Sequence, residues 1–196
     1  MTGRKATVVR RTKETNITVE VVLEGQGVTH VATGIGFLDH LLDALSRHSG
    51  IDITLSCEGD LEVDDHHTVE DCALSLGQAL RRALGERRGI NRFGSAYAPL
   101  DEALARAVID LSGRPCAVVD LGLQRETLGG LSTENVQHFF VSLAMSLRAA
   151  LHLDLLRGDN DHHRAEAAAK ALALALKQAV ARDGTDRMPS TKGTLQ

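Results

Sequence analysis

The sequence predicts an α/β (α+β two-layer) fold made of two copies of one βαβ-type half, with the helices packed on one face of the strands. Three observations lead there. Runs rich in β-branched residues, separated by turn formers, open the chain and recur past its midpoint. Apolar spacing changes from alternation to threes and fours after Gly36 and after Asp65, the mark of helices following strands. Two histidines followed three positions on by a glutamate open one helix in each half: His66, His67 and Glu70 in "DDHHTVED", His162, His163 and Glu166 in "NDHHRAEA".

The elements follow in order. "ATVVRRT", "NITVEVVL" and "VTHVAT" read as strands divided by "KETN" and "EGQG", and an antiparallel meander is their simplest pairing. Phe37, Leu38, Leu41, Leu42 and Leu45 then form a helical stripe that Gly50 ends. "IDITLSCEG" is a strand, and after Asp65 comes a helix with Leu76, Leu80, Ala83 and Leu84 on its apolar face and Gly85 just past its end. The second half repeats the order: "ALARAVIDL" and "PCAVVDLGL" as strands, "STENVQHFFVSLAMSLRAAL" as a helix, "LHLDLL" as a strand, and residues 162–181 as the last helix.

The repeat is specific. Ninety-six residues separate the two HHxxE motifs, and Asp65 falls on Asp161. The accompanying Ala and Leu matches are what any two helices share; the histidines and glutamates are not. The first helices match as well, since "FLDHLL" carries His40 where "VQHFFV" carries His138. The chain therefore divides into half-repeats 1–94 and 95–196 that form one compact catalytic unit.

Composition bounds the function. The 196 residues are 43% hydrophobic and 24% charged, enough for a sizeable core. A net charge of −4 and a pI near 6.1 argue against nucleic acid as a partner, because counterion release from phosphates needs a basic field. Cys57, Cys72 and Cys116 form neither a CxxC nor an even set, which fits a reducing, cytoplasmic setting. "MTGRKATVVRR" lacks the apolar core of a signal peptide, and no apolar run reaches membrane-span length.

Six of the nine histidines, His40, His66, His67, His138, His162 and His163, belong to the repeated pattern with Glu70 and Glu166. They divide evenly into two sites of three nitrogens and one oxygen, which leaves open positions on an octahedral ion, as catalysis requires. Without thiolates and with a carboxylate in each site, the set favours Mn²⁺ or Fe²⁺. Pairing i with i+3 on each helix puts His40, His67, Glu70 and His162 on one ion, and His138, His163, Glu166 and His66 on the other. Asp65 and Asp161 are expected to cap the helices or to fix imidazole tautomers. A bland alternative leaves the histidines as solvated residues at helix starts; the repetition speaks against it.

At this point the chain resembles the imidazoleglycerol-phosphate dehydratases. "KETNI", "GFLDHLLD", "DDHHTVED", "RGINRFG", "LDEALAR", "DLSGRP", "STENVQHFF", "NDHHRAEA" and "PSTKG" occur in the family's order across almost the whole chain. The resemblance implies a fold like the second domain of ribosomal protein S5, two Mn²⁺ per active site, and a homo-oligomer of twenty-four subunits with active sites between them. It also implies phosphate contacts from Arg92, Arg114, Ser190 and Lys192, a substrate-contacting Glu14, and Glu14, His48, Asp101 and Glu166 as candidate catalytic groups. Ala44 departs from the pattern, standing where many members have glutamine. His30 and His152 fall outside the pattern and read as sheet or core histidines.

The reaction so implied dehydrates D-erythro-imidazole glycerol phosphate to imidazole acetol phosphate in histidine biosynthesis. No carbonyl adjoins the carbon that loses hydrogen, so no enolate can form and the imidazole must relay electrons. A metal on each ring nitrogen would stabilise an imidazolate that expels the hydroxyl as a diazafulvene. Two nitrogens call for two metals, hence two motifs. The rival readings are a binuclear metallohydrolase acting on a small phosphorylated substrate, and a non-enzymatic binding module that holds no metal.

Overall fold

The computed structural model describes residues 3–195. The first sheet has the order β1 (Lys5–Arg11), β2 (Thr15–Val22), β4 (Asp52–Gly59), β3 (Thr29–Ala32), and carries helices α1 (Gly36–Ser49) and α2 (His66–Leu84). The second sheet has the same pattern: β5 (Phe93–Leu100), β6 (Ala103–Asp110), β10 (Ala150–Arg157), β7 (Cys116–Asp120), with α3 (Thr133–Leu147) and α4 (Asp161–Val180). A short hairpin, β8 (Thr127–Leu128) and β9 (Leu131–Ser132), precedes α3.

The expected meander holds only for its first hairpin. β1 and β2 pair antiparallel, but β3 lies beyond β4 and runs parallel to it, with Thr29 opposite Ile53 and Ala32 opposite Ser56. Parallel neighbours need a crossover, and α1 supplies it between β3 and β4; the same device joins β7 to β10 through α3. Local turn residues do not reveal this, because the partner strand comes later in the chain.

Strand β5 is absent from the sequence reading. Its inward positions are Gly94, Ala96 and Ala98 rather than β-branched residues. The cause is tertiary: α4 lies directly on this strand, and a side chain at Gly94 would run into the carbonyl oxygen of Ala175. Pro99 is tolerated because β5 is an edge strand.

Helix α3 also stops earlier than its composition suggests. Arg148 turns left-handed (φ 56°), and the chain enters β10 at Ala150. Buried Arg87 makes that end possible, donating to the carbonyls of Leu111 (2.8 Å), Leu147 (2.6 Å) and Arg148 (3.0 Å). Burial, with help from Arg81 and Arg148, pulls its guanidinium down to about 10. A cap delivered from sixty residues away leaves no mark in the local pattern.

Alternation dictates the layering. β2 buries every second residue, so one face of the first sheet carries α2 while the other stays open. Helix α4 packs likewise on β5 and β6, and the two helix layers meet as α1 on α4 and α2 on α3, between the sheets. Small residues permit the close crossings. A methyl group at Gly77 on α2 would come within 2.7 Å of the Leu143 carbonyl on α3, and α4 buries Ala165, Ala168, Ala169, Ala171 and Ala175. The histidine-bearing helix starts therefore stand at fixed distances from neighbouring helices. Among the described residues no helix is long and apolar enough to cross a membrane.

Candidate metal centre

The two HHxxE helices begin under side-chain control, with the accepting side chain one residue earlier than expected; the first starts at His66 as read and the last at Asp161 rather than 162. Asp64 Oδ1 accepts from the His66 amide (2.8 Å), and Asn160 Oδ1 accepts from the amides of His162 (2.9 Å) and His163 (3.4 Å). Asp65 and Asp161 are not the caps. The Asp65 carboxylate accepts from the Ser132 amide (2.7 Å) and from Asn135 Nδ2 (2.9 Å), fixing the start of α3. Asp161 accepts from the Gln124 and Arg125 amides (2.7 Å each) and from Arg164 (3.0 Å). Burial opposes its ionisation, but these donors win and hold its carboxyl below the ordinary range. Each aspartate binds a distant segment because the residue before it already serves the helix.

Two clusters result. In one, His40 Nε2 and His162 Nε2 lie 2.9 and 3.1 Å from the same oxygen of Glu166. In the other, His138 Nε2 lies 3.0 Å from Glu70, and the ring of His66 stacks on that of His138 at 4.8 Å. Within each cluster one ligand atom from every member falls within 4.8 Å of the others. The expected partition is corrected: Glu166, not Glu70, meets His40, and Glu70 meets His138. α1 crosses α4 and α2 crosses α3, so each first-helix histidine reaches the glutamate of the other half. The glutamate also faces the histidine four residues back rather than three, which turns the intervening His67 and His163 away.

Those two histidines have matching surroundings. His67 Nδ1 lies 3.0 Å from Asp60, and its Nε2 lies 3.7 Å from Glu14 on the β1–β2 turn. His163 Nδ1 lies 2.7 Å from Glu102, and its Nε2 lies 3.9 Å from Asp101 on the β5–β6 turn. A carboxylate on Nδ1 places the proton there and aims the Nε2 lone pair outward, as metal ligation needs. The same hydrogen bonds raise both imidazoles above the ordinary histidine range and hold Glu102 down to about 2. His66 is fixed similarly: Asn135 gives its N–H to Asp65, so its Oδ1 must accept the His66 Nδ1 proton (3.0 Å).

Several of these partners escape sequence reasoning. Asp60, Glu102 and Asn135 come from loops and a neighbouring helix, without spacing to mark them. Lys170 does carry a signal, i,i+4 from Glu166, and its ammonium lies 2.7 Å from the free oxygen of that carboxylate. Burial works against ionisation of Glu166, yet the hydrogen bonds from Lys170 and His40 bring it down to about 2. His48, in the last turn of α1, is pushed below the usual histidine range by burial and then by Lys170.

The expected phosphate ligands are only partly assembled. Arg92 sits left-handed (φ 70°), forks onto Asp110 (2.7 and 2.9 Å) and donates to the Pro189 carbonyl (2.8 Å), which ties it to the segment carrying Ser190 and Lys192. Lys192 is exposed. Arg114 is exposed on a turn held by Ser112, and no hydrogen bond joins its side chain to the other three among the described residues. Ala44 is buried in α1. His30 and His152 stand on the open sheet faces, not in the core.

The donors suit a divalent cation of borderline softness, two imidazoles and a carboxylate per cluster with Nδ1 protons directed elsewhere on His66, His67 and His163. Each cluster is one ligand short of the four that the histidine count provides.

Comparison with known proteins places these residues in context. The family model described as imidazoleglycerol-phosphate dehydratase matches residues 33–176. The chain is 62% identical over 168 residues to the imidazoleglycerol-phosphate dehydratase of Eremothecium gossypii, covering 86% of this chain and 76% of that protein. It is 51% identical to the Saccharomyces cerevisiae enzyme over 219 aligned positions, covering 100% of both. The crystal structure of the Staphylococcus aureus enzyme superposes with a TM-score of 0.82 at 35% identity, over 91% of this chain and 99% of that one.

Proposed function

We infer how the site works from one premise: the chain belongs to the imidazoleglycerol-phosphate dehydratase family and is a hydro-lyase of histidine biosynthesis. The observation that carries the reading is the pair of equivalent clusters, each with two imidazoles and a carboxylate, beside two outward-facing histidines that belong to neither. His40, His162 and Glu166 would hold one divalent ion, and His66, Glu70 and His138 the other. His67 and His163 would each complete a cluster on a neighbouring subunit, because within their own chain they face acids instead. This makes the homo-oligomer, a shell of twenty-four subunits by family resemblance, a condition of activity. Pseudosymmetric halves 1–94 and 95–196 both contribute to each cluster, one giving its first-helix histidine and the other a histidine and the glutamate.

Two bound divalent ions, Mn²⁺ by donor type, supply electron withdrawal at both nitrogens of the substrate's imidazole. The remaining work falls to side chains. Arg92, Arg114, Ser190 and Lys192 bind the phosphate, with Arg92 already oriented by Asp110. Glu14 and Asp101, one from each half, flank the imidazoles at equivalent distances and take or return the protons that dehydration moves. Glu14 is the stronger candidate base by family resemblance, which places a substrate-contacting glutamate at this turn. His48, held towards neutrality, accepts or donates a hydrogen bond without adding charge. Lys170 keeps Glu166 ionised and oriented. The three cysteines are free, which fits a reducing cytosol.

Anaerobic reconstitution with Mn²⁺, followed by assay with imidazole glycerol phosphate, tests the reading. Formation of imidazole acetol phosphate with two ions per subunit is the expected result. Release of inorganic phosphate instead would assign the clusters to a metallohydrolase.

A further inference from the structure

We propose that Asp71 is a positioning residue that sets Glu14 against His67 through Thr15. Asp71 follows Glu70 directly on α2, is buried, and uses both carboxylate oxygens on the first hairpin. Oδ2 accepts from Thr15 Oγ1 at 2.6 Å, and Oδ1 pairs with Arg10 Nη2 at 2.8 Å. Thr15 is itself buried and closes the turn that bears Glu14. The Thr12 hydroxyl accepts from the amides of Glu14 (3.0 Å) and Thr15 (2.9 Å), the Thr12 amide donates to the Thr15 carbonyl (2.9 Å), and the Asp60 amide donates to the Glu14 carbonyl (3.1 Å). Asp60 in turn holds His67. A closed ring thus runs from α2 through Asp71, Thr15, Glu14 and Asp60 back to His67 on α2. The helix that bears Glu70 also fixes where the acid opposite His67 stands.

Energetics argue that this carboxylate is kept for placement. Asp71 is buried but its partner Arg10 is partly exposed, so the pair gains little over apolar packing of the same volume and fold stability gives little reason for an aspartate on the inner face of α2. The second half reaches the same end by another route: Glu102, next to Asp101, accepts from the Asp159 (3.1 Å) and Asn160 (2.9 Å) amides at the start of α4. Ala167, which falls where Asp71 falls in the repeat, has no carboxylate to offer. Each turn acid is therefore tied to its HHxxE helix through neighbouring acids, Glu102 in the second half and Asp60 with Asp71 in the first, where Asp71 is the one that holds Thr15.

The inference rests on the reading of Glu14 as a proton-transfer group, and a double-mutant cycle separates the two. Thr15→Val keeps the shape of the side chain but removes the hydroxyl; Thr15→Ser keeps the hydroxyl. The expected result is a kcat about 10- to 100-fold lower for Thr15→Val, with KM and bound Mn²⁺ within about twofold of the parent and activity restored in Thr15→Ser. In a Glu14→Gln background the Thr15→Val change should have no further effect. An equal loss in both backgrounds, or no loss in either, overturns the positioning role while leaving Glu14 in place. Undiminished turnover of Glu14→Gln alone removes the base assignment and this inference together.

Discussion

At the residue scale, chemistry is set by which nitrogen of each imidazole is free. His66, His67 and His163 each spend Nδ1 on an oxygen supplied by Asn135, Asp60 or Glu102, and this leaves Nε2 for an ion. Glu102→Ala should therefore loosen His163 without touching the Glu166 cluster, and metal titration should show about 10- to 100-fold weaker affinity at one site only. Weakening of both sites equally would mean that the two clusters are not independent. Arg92 is a different case because its guanidinium is already engaged. Arg92→Ala should weaken substrate binding by about 2 to 5 kcal/mol and also release the segment after Pro189, which hydrogen exchange at residues 190–195 would report. Glu14→Gln, by contrast, should lower kcat with metal content retained, since it keeps the shape and removes the base.

At the scale of elements, the starts of α2 and α4 carry the site, and their caps can be told apart from their anchors. Asn160→Ala removes a cap and should cost about 1 kcal/mol in denaturant unfolding. Asp161→Ala strands the buried guanidinium of Arg164 and frees the 124–125 amides, and should cost about 3 kcal/mol. The reverse order would restore Asp161 as the cap. The ranking follows from burial: Asn160 faces solvent, where water replaces its bonds, and Asp161 does not. The crossings of α1 on α4 and α2 on α3 matter for the same reason, because a helix start is useful only at a fixed distance from its partner.

At the scale of the whole molecule, the proposed function has each chain build two clusters of three candidate ligands and offer two further histidines to its neighbours. On that proposal binding energy for the ions would be shared with association, so chelation should both abolish turnover and shift the particle to smaller species in sedimentation velocity. A particle that keeps its size in chelator would remove the support for ligands shared between subunits. Alanine at His40 and, separately, at His138 should each empty a different site and stop turnover, since the proposed mechanism needs an ion at both nitrogens of the substrate.

Much of this was legible before any coordinates. The duplicated HHxxE, the paired first-helix histidines and the switches of hydrophobic period pointed to repeated βαβ halves and to a candidate ligand set, because helical and strand periodicity and ligand chemistry act over a few residues, while the family was legible in the motifs from "KETNI" to "PSTKG" spread along the chain. Strand β5 was not legible, since Gly94 and Ala96 answer to the helix packed on them rather than to strand propensity. The parallel pairing of β3, the early end of α3 under Arg87 and the exchange of Glu70 and Glu166 between clusters were hidden for a common reason. Each depends on which distant segment arrives beside which, and only the crossing of helices between two sheets decides that.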